Sequence, residues 1–296
     1  MICPVCESSN TVFAGDIFRF DQPFSIRKCQ DCKSSYQYPA PKNSDLFYTD
    51  DYYSGKAVFS YIDERKIDKY ARYVWNARIR NLQKFQKGGI FLDVGCSFGG
   101  LTRSASKYYL SYGIDISRYA VNQGNEFSKQ TSQNKNFKGL FCGDLLNFPI
   151  AEIKNSSVAV VTMIEVAEHL ENPVEHFKKA WELLMPGGVF LIQTANMTAR
   201  QAARAGLNYH YYLPGHLTYF SEQGIEALLK KIGFTSVIKY FPVEFGLLPK
   251  LLKMRGNFTS WRDYFRWINV IYYHLSSFLR YKGEPLTSSM VVYAIK

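Results

Sequence analysis

Ile90-Phe91-Leu92-Asp93-Val94 is an apolar run of buried-strand length, and it breaks directly into Gly95-Cys96-Ser97-Phe98-Gly99-Gly100. Small residues at that place let a turn pass close to a ligand, and a helix starting there offers unpaired N–H groups. The run is the first of several. Tyr112-Gly113-Ile114-Asp115 ends a second, Phe137 to Phe141 is a third, Ser157 to Met163 a fourth and Gly188 to Gln193 a fifth. Helical stretches near 99–108, 117–129 and 172–184 separate them. Apolar strands alternating with helices predict an α/β fold, a doubly wound parallel sheet with right-handed crossovers. Ligands of such sheets bind at the carboxyl ends of the strands.

The acids at those ends say what kind of ligand. The loop reads D-x-G-x-S-x-G rather than G-x-G-x-x-G, so an acid stands at its entrance. Up to this point a dinucleotide fold also fits, but a carboxylate at the entrance disfavours a pyrophosphate and suits a cation. Asp115, 22 residues after Asp93, can grip both hydroxyls of a ribose, and Asp144 after the third strand can accept from an exocyclic amine. Each acid also has a plainer use: Asp93 as a helix cap, Asp115 as the start of a turn, Asp144 as a cap of the next segment. All three in this order and spacing favour the ligand-binding reading. Ser289-Met290-Val291-Val292-Tyr293-Ala294-Ile295 closes the chain as a strand that can pair antiparallel with Phe234 to Phe241.

With these residues the sequence resembles the class I S-adenosylmethionine-dependent methyltransferases, over roughly residues 88–243 and 287–296. The resemblance implies a seven-stranded, Rossmann-like methyltransferase sheet with an antiparallel last strand. It makes Asp93, Gly95, Cys96, Ser97 and Gly99 the cofactor loop, Asp115 with Ile116 the ribose side, and Asp144 with Leu145 the adenine side. Ser97 departs from the commoner glycine. The activity implied is methyl transfer from S-adenosyl-L-methionine.

Glu165-Val166-Ala167-Glu168-His169 follows the fourth strand. As the start of a helix it would put Glu165, Glu168 and His169 on one face at i, i+3 and i+4. The loop from Tyr209 to Ser221, with His216, would overhang the same cleft. Two uses stay open. One is a polar pair that closes the site and orients the cofactor. The other follows from an E-x-x-E-H pattern that resembles ubiquinone-pathway O-methyltransferases and small-RNA terminal ribose methyltransferases. It implies a divalent-metal site, Mg²⁺ or a transition metal, held by Glu165, Glu168, His169 and His216. His169 and His216 are the candidate general bases, with Glu165 behind them.

Before this core come Cys3-Pro4-Val5-Cys6 and Cys29-Gln30-Asp31-Cys32, a C-x2-C pair repeated 22 residues on. Two such turns can complete a tetrahedral Zn²⁺ site, which predicts a small structural zinc ribbon over residues 1–45. Cys96 and Cys142 stand apart from it. Pro39, Pro41 and Asn43 mark the boundary near 45, and a linking segment of 46–87 follows. That segment is rich in tyrosine (Tyr48, Tyr52, Tyr53, Tyr61) and then helical, with Ile67, Tyr70, Val74 and Ala77 on one face. The methyltransferase domain then spans 88–296, with a helical insertion at about 246–286.

Charge narrows the partners. The chain carries +11, and residues 246–296 hold eight Lys/Arg against two acids. From Trp261 the apolar positions Tyr264, Phe265, Ile268, Ile271, Tyr272, Leu275, Phe278 and Leu279 recur at helical spacing, with Arg262, Arg266, Asn269 and Arg280 opposite. The insertion reads as a cap on the domain's own body, or as a basic aromatic surface (246–284) that meets a membrane face or a lipid-linked substrate. A nucleic-acid surface is the weakest reading, because the first 60 residues carry few basic groups. No start resembling a secretory signal and no run of 18 apolar residues are present, which predicts a cytoplasmic protein, in contact at most with the inner face of the membrane. Zinc-ribbon methyltransferases of this layout look like those of bacterial surface-polysaccharide and sugar pathways. The sugar C-methyltransferases of that group carry a second C-terminal domain that this chain lacks, so their substrate does not carry over. The expected acceptor is a small molecule, sugar or lipid-linked glycan, methylated on oxygen rather than carbon or nitrogen. An rRNA or tRNA methyltransferase and a cofactor-binding regulator are the alternatives.

Overall fold

A computed structural model describes residues 1–41, 50–54, 56, 63–131, 134–241 and 243–296. The boundary expected near 45, with Asn43, Tyr48 and Tyr61, lies outside the described residues.

The chain opens on a hairpin, β1 (Thr11–Arg19) and β2 (Gln22–Cys29), followed by the short β3 (Ser35–Gln37). After α1 (Asp50–Ser54) comes α2 (Asp68–Leu82). The αβ alternation follows as β4 (Ile90–Val94), α3 (Gly100–Ala105), β5 (Leu110–Asp115), α4 (Arg118–Thr131), β6 (Phe137–Cys142), β7 (Val158–Ile164), α5 (Pro173–Leu183) and β8 (Leu184–Ala195). Then come α6 (Arg200–Ala205), β9 (Thr218–Tyr219), α7 (Glu222–Ile232), β10 (Ser236–Tyr240), α8 (Leu247–Arg255) and α9 (Arg266–Ser276). A two-stranded pair, β11 (Arg280–Tyr281) and β12 (Glu284–Pro285), precedes β13 (Ser289–Ile295).

The main sheet has the order β10-β13-β8-β7-β4-β5-β6. β4 to β8 pair in parallel, and β13 is antiparallel to both neighbours, Val292 lying opposite Ile192 on one side and Lys239 on the other. The strand order reverses beside β4, so the crevice opens over the carboxyl ends of β4, β5 and β7. Wall-to-wall apolar strands make this possible: Val158 to Met163 is fully buried, as a parallel sheet covered on both faces requires.

Two cores flank the sheet. One holds Trp75, Ile79, Leu82, Phe91 and Tyr109, where α2 and α3 pack. The buried residues of α2 include Ala71, Trp75, Ala77, Arg78, Ile79 and Leu82, so Ala77, like Ile67 just before the helix, is buried as the sequence suggested. Tyr70 and Val74 are only half-buried because α2 lies between the sheet and α8, near Gly256, and uses two faces. Arg78 is buried with Glu244 (Nη2–Oε2 2.8 Å), and the Tyr293 hydroxyl donates to the same carboxylate. This pair moors the segment that leads into α8.

The other core joins α5 and α7 to the N-terminal cysteines: Cys3, Val5, Cys29 and Tyr36 share it with Phe177, Phe220, Ile225 and Leu228. The ribbon is thus built onto the main body. Its antiparallel sheet runs β1-β2-β3-β9, and β9 belongs to the loop after β8.

Candidate active site

β4 ends at Asp93 and Val94, and the turn after it is tight. Gly95 (φ +70°) backs onto the Val166 side chain, and a Cβ at Gly99 (φ +74°) would come within 2.8 Å of Leu140. Only glycine meets both demands without strain. Ser97 between them is also left-handed (φ 48°).

The acids stand at the strand ends. Asp93, 4% exposed, accepts from Thr162 Oγ1 (2.6 Å) and Thr102 Oγ1 (2.8 Å), and burial pushes its carboxyl up to about 6. Asp115 accepts from the amides of Ser97 (2.8 Å) and Ser117 (2.9 Å) and from the Tyr53 hydroxyl (3.3 Å), while burial raises its pKa. Asp144 caps the next segment, accepting from the amides of Leu146 (2.6 Å) and Asn147 (2.8 Å) and from Asn147 Nδ2 (2.9 Å). Against a cost of burial, those bonds hold it below the ordinary carboxylate range. Its plainer use and a place beside a ligand coexist, because it also lines the cleft. One cleft of about 980 Å³ brings together Asp93, Gly95, Cys96, Ser97, Asp115, Ile116, Asp144, Leu145, Glu165, Glu168, His169 and His216. Gly99 is not on that wall; it closes the turn from behind.

The Glu-x-x-Glu-His run is not the helix face expected. β7 stops at Ile164, Glu165 takes a left-handed conformation (φ 54°), and only a 3-10 turn, Ala167–His169, follows. At this turn the Val166 side chain packs against Gly95. The side chains still meet. Glu168 is fully buried and accepts from Thr194 Oγ1 (3.0 Å) and the Tyr211 hydroxyl; burial raises its pKa. Glu165 opens onto the cleft and accepts from Gln193 Nε2 (2.8 Å) and Tyr211 (3.3 Å). Desolvation, then the Glu168 charge, pushes it up to about 8.

His169 Nδ1 lies 2.9 Å from the Gly215 carbonyl, and His216 Nδ1 lies 2.8 Å from the Tyr211 carbonyl. A carbonyl only accepts, so His216 carries its proton on Nδ1 and presents Nε2 as a lone pair. Burial pulls both imidazoles down, His216 well below its ordinary value, so His216 is neutral at pH 7. The rings meet edge-on at 4.7 Å. Glu168, His169 and His216 offer ligand atoms within 4.8 Å of one another, a donor set able to hold a divalent ion; Glu165 lies outside that group. A second cavity of about 300 Å³ shares Glu165, His210 and Tyr211 with the cleft and is otherwise lined by Thr194, Tyr209, Tyr273 and Ser288 among others.

Tyr53, Tyr211, Thr162 and Gln193 are the site residues that sequence reasoning missed. Tyr211 sits in the loop expected to overhang the cleft, which was its one signal. The others are placed by tertiary contacts that leave no local pattern.

In the ribbon Cys3 Sγ lies 3.7 Å from Cys32 Sγ, and Cys6 Sγ lies 3.5 Å from Cys29 Sγ; all four sulfurs fall within 4.8 Å. A disulfide would need about 2.05 Å. Thiolates around a tetrahedral ion at about 2.3 Å stand about 3.8 Å apart, so the geometry fits a metal. Cys96 is buried away from this group, and Cys142 is exposed.

The strand order, the antiparallel last strand and the acid-edged cleft over the β4–α3 turn define the class I S-adenosylmethionine-dependent methyltransferase fold. The chain belongs to the methyltransferase-domain family, which it matches over residues 67–239. It is 26% identical over 174 residues to the ubiquinone biosynthesis O-methyltransferase of Coxiella burnetii, covering 53% of this chain and 70% of that protein. It is 27% identical over 117 residues to sphingolipid C9-methyltransferase 2 of Gibberella zeae, covering 38% and 22%. Among solved structures, phosphoethanolamine N-methyltransferase 2 of Haemonchus contortus matches with a TM-score of 0.55 at 15% identity, over 95% of this chain and 70% of that one. Geranyl diphosphate C-methyltransferase of Streptomyces coelicolor matches at 0.50 and 13%, over 74% and 78%. These structures share the fold.

Proposed function

We propose that this methyltransferase acts on a hydroxyl oxygen of a small-molecule, sugar or lipid-linked glycan acceptor. The observation that carries the reading is the meeting, in one cleft, of the Asp93/Asp115 acids with the Glu168-His169-His216 group. The relatives named for ubiquinone biosynthesis O-methylation support oxygen as the acceptor atom.

S-adenosylmethionine supplies an electrophilic methyl, which the acceptor oxygen takes in line as the carbon–sulfur bond breaks and S-adenosylhomocysteine leaves. Asp115, held rigid by two amides, grips the ribose diol. Asp144 and Leu145 border the adenine. Asp93, at the loop entrance, favours the cationic end. His216 Nε2 takes the acceptor proton, and Tyr211 fixes the glutamates behind it. Most of the rate comes from this positioning, with the base adding about 10²–10⁴-fold. A divalent ion on Glu168, His169 and His216 would use the same His216 Nε2 lone pair, so it would replace the histidine base and lower the acceptor's pKa as a Lewis acid. The four cysteines would hold a structural Zn²⁺, for which the sulfur spacing is the support.

The test is transfer of labelled methyl from S-adenosylmethionine to lysate separated into RNA, lipid and small-molecule pools. Label in the small-molecule or lipid pool is expected, and label confined to RNA overturns the reading. Full activity after metal stripping removes the divalent-ion role.

A second element of the reading concerns 246–284. α8 packs on α2 as a cap, and Lys253 reaches the cleft rim to pair with Glu64. α9 does the opposite of a cap: Trp267 and His274 face inward, while Trp261, Phe265, Ile268, Tyr272, Leu275, Phe278 and Leu279 are all more than half exposed. An apolar face beside Arg262, Arg266, Arg280 and Lys282 suits an anionic membrane surface. Among the described residues no helix is long and apolar enough to cross a membrane.

A further inference from the structure

The ribbon does more than stabilise an N-terminus. Residues 208–221 carry Tyr211 and His216 into the cleft, and the ribbon grips that segment along its length. Arg19 donates to the carbonyls of Asn208 (2.8 Å) and Tyr212 (3.1 Å). Gln37 Nε2 faces the carbonyls of Leu213 (2.9 Å), Pro214 (3.0 Å) and His216 (2.9 Å), and the Gln37 amide donates to Leu217 (2.9 Å). β3 and β9 form a ladder, Ser35 opposite Tyr219 and Tyr36 opposite Thr218. Ser221 donates from its amide to Ser34 Oγ (3.1 Å) and from its hydroxyl to the Cys32 carbonyl. Leu217 in turn donates to the Glu168 carbonyl (2.7 Å), so the segment is tied on its other side to the catalytic turn.

We infer that the four-cysteine ribbon buttresses the active-site loop from outside the cleft, and that Gln37 is the positioning residue that sets where His216 and Tyr211 stand. Gln37 is buried, 5% exposed, and its amide is the one ribbon side chain that reaches the His216 carbonyl among the described contacts. Three carbonyls converging on one –NH₂ demand a donor there; no apolar or anionic side chain of similar size answers. The Cys32 carbonyl makes the same link from a cysteine of the cluster itself, so order at the metal knuckle passes straight to Ser221. The consequence for turnover rests on the proposed use of His216; the structural claim does not.

Gln37→Glu keeps the shape and removes the donor, and Gln37→Ala removes both. Amide hydrogen exchange of 213–217 is expected to run about tenfold faster in each, the change that losing a net hydrogen bond or two produces. Arg27→Ala, which breaks contacts only within the ribbon, to Thr11, is the control and leaves 213–217 unchanged. Calorimetry with S-adenosylhomocysteine is expected to give an affinity within about threefold of the parent, since the cofactor acids are not touched. With the lysate fraction that accepts label, kcat falls and the KM for that fraction rises. Unchanged exchange in both Gln37 variants overturns the inference. So does a loss of S-adenosylhomocysteine affinity as large as the loss of transfer, which is what global loosening would give. If no fraction accepts label, the proposed reaction fails, and the exchange and calorimetry still decide the role of Gln37.

Discussion

Asp93 and Asp115 show what the cleft costs the fold. Asp93 has its carboxyl raised from an ordinary 3.8 to about 6 by burial. The native state therefore binds its proton more tightly than the unfolded chain does. The group favours folding most below about pH 4, and this contribution is lost as pH rises through about 6. Above that, a charged Asp93 costs the fold on the order of 1–3 kcal/mol. Asp93→Asn should thus melt higher than the parent at pH 8 and flatten the stability profile between pH 4 and 6, read by urea melts, while binding S-adenosylmethionine more weakly. A variant no more stable at pH 8 would show that the acid is fully compensated by Thr102 and Thr162. Asp115, raised by burial in the same direction, is tested through its hydrogen bonds instead. Its two amide donors are charge-assisted, and Asp115→Asn turns a donor toward at least one of them. Its dissociation constant for S-adenosylhomocysteine should rise about tenfold or more by calorimetry. At this scale the sequence was informative where chemistry needs a residue type at a fixed distance from a strand end. It was silent on Tyr53 and Gln37, whose partners lie 62 and about 180 positions away along the chain.

Elements were legible by period, and their faces were not. The strands of the main sheet were readable because short, mostly apolar runs alternate with helical stretches and stop at turn signals. α2 was readable as a helix, with Ile67 and Ala77 buried as expected and Tyr70 and Val74 half-buried, but periodicity cannot say that α8 covers its second side. The Glu165 run failed as a helix because a left-handed residue stands where the helix would start, at a turn where Val166 packs on Gly95. β9 is two residues long and has no sequence signal at all, yet it is the strand that fastens the ribbon to the loop. Its importance gives a prediction about the metal. Chelating the proposed Zn²⁺ from the purified protein should speed hydrogen exchange in 217–221 before it affects β4 or β5, because the Cys32 carbonyl accepts directly from Ser221. Exchange that rises first in β4 or β5 would mean that the ribbon and the loop are not coupled.

For the whole molecule, charge and exposed apolar area have to be explained together. Of the net +11, residues 246–296 contribute +6 from eight basic and two acidic side chains, while the cofactor cleft is edged with acids. An outward row of Trp261, Phe265, Ile268, Tyr272, Leu275 and Phe278 is costly in water and exceeds the scattered apolar residues of an ordinary surface. Basic groups alone would make attachment wholly salt-sensitive, and apolar groups alone would make it indifferent to lipid charge. The two terms together predict a specific pattern. The protein should co-sediment with phosphatidylglycerol-containing vesicles and much less with pure phosphatidylcholine, and about 0.5 M salt should weaken the binding without abolishing it. Ile268→Ser with Leu275→Ser should lose the salt-resistant part, and Arg262→Ala with Arg266→Ala the lipid selectivity. Neither pair touches the cleft, so S-adenosylhomocysteine binding stays as in the parent. Equal sedimentation with both vesicle types, or with neither, would sink the membrane reading. A concentration-dependent dimer lost in the Ile268/Leu275 variant would instead assign the face to a second copy of the chain.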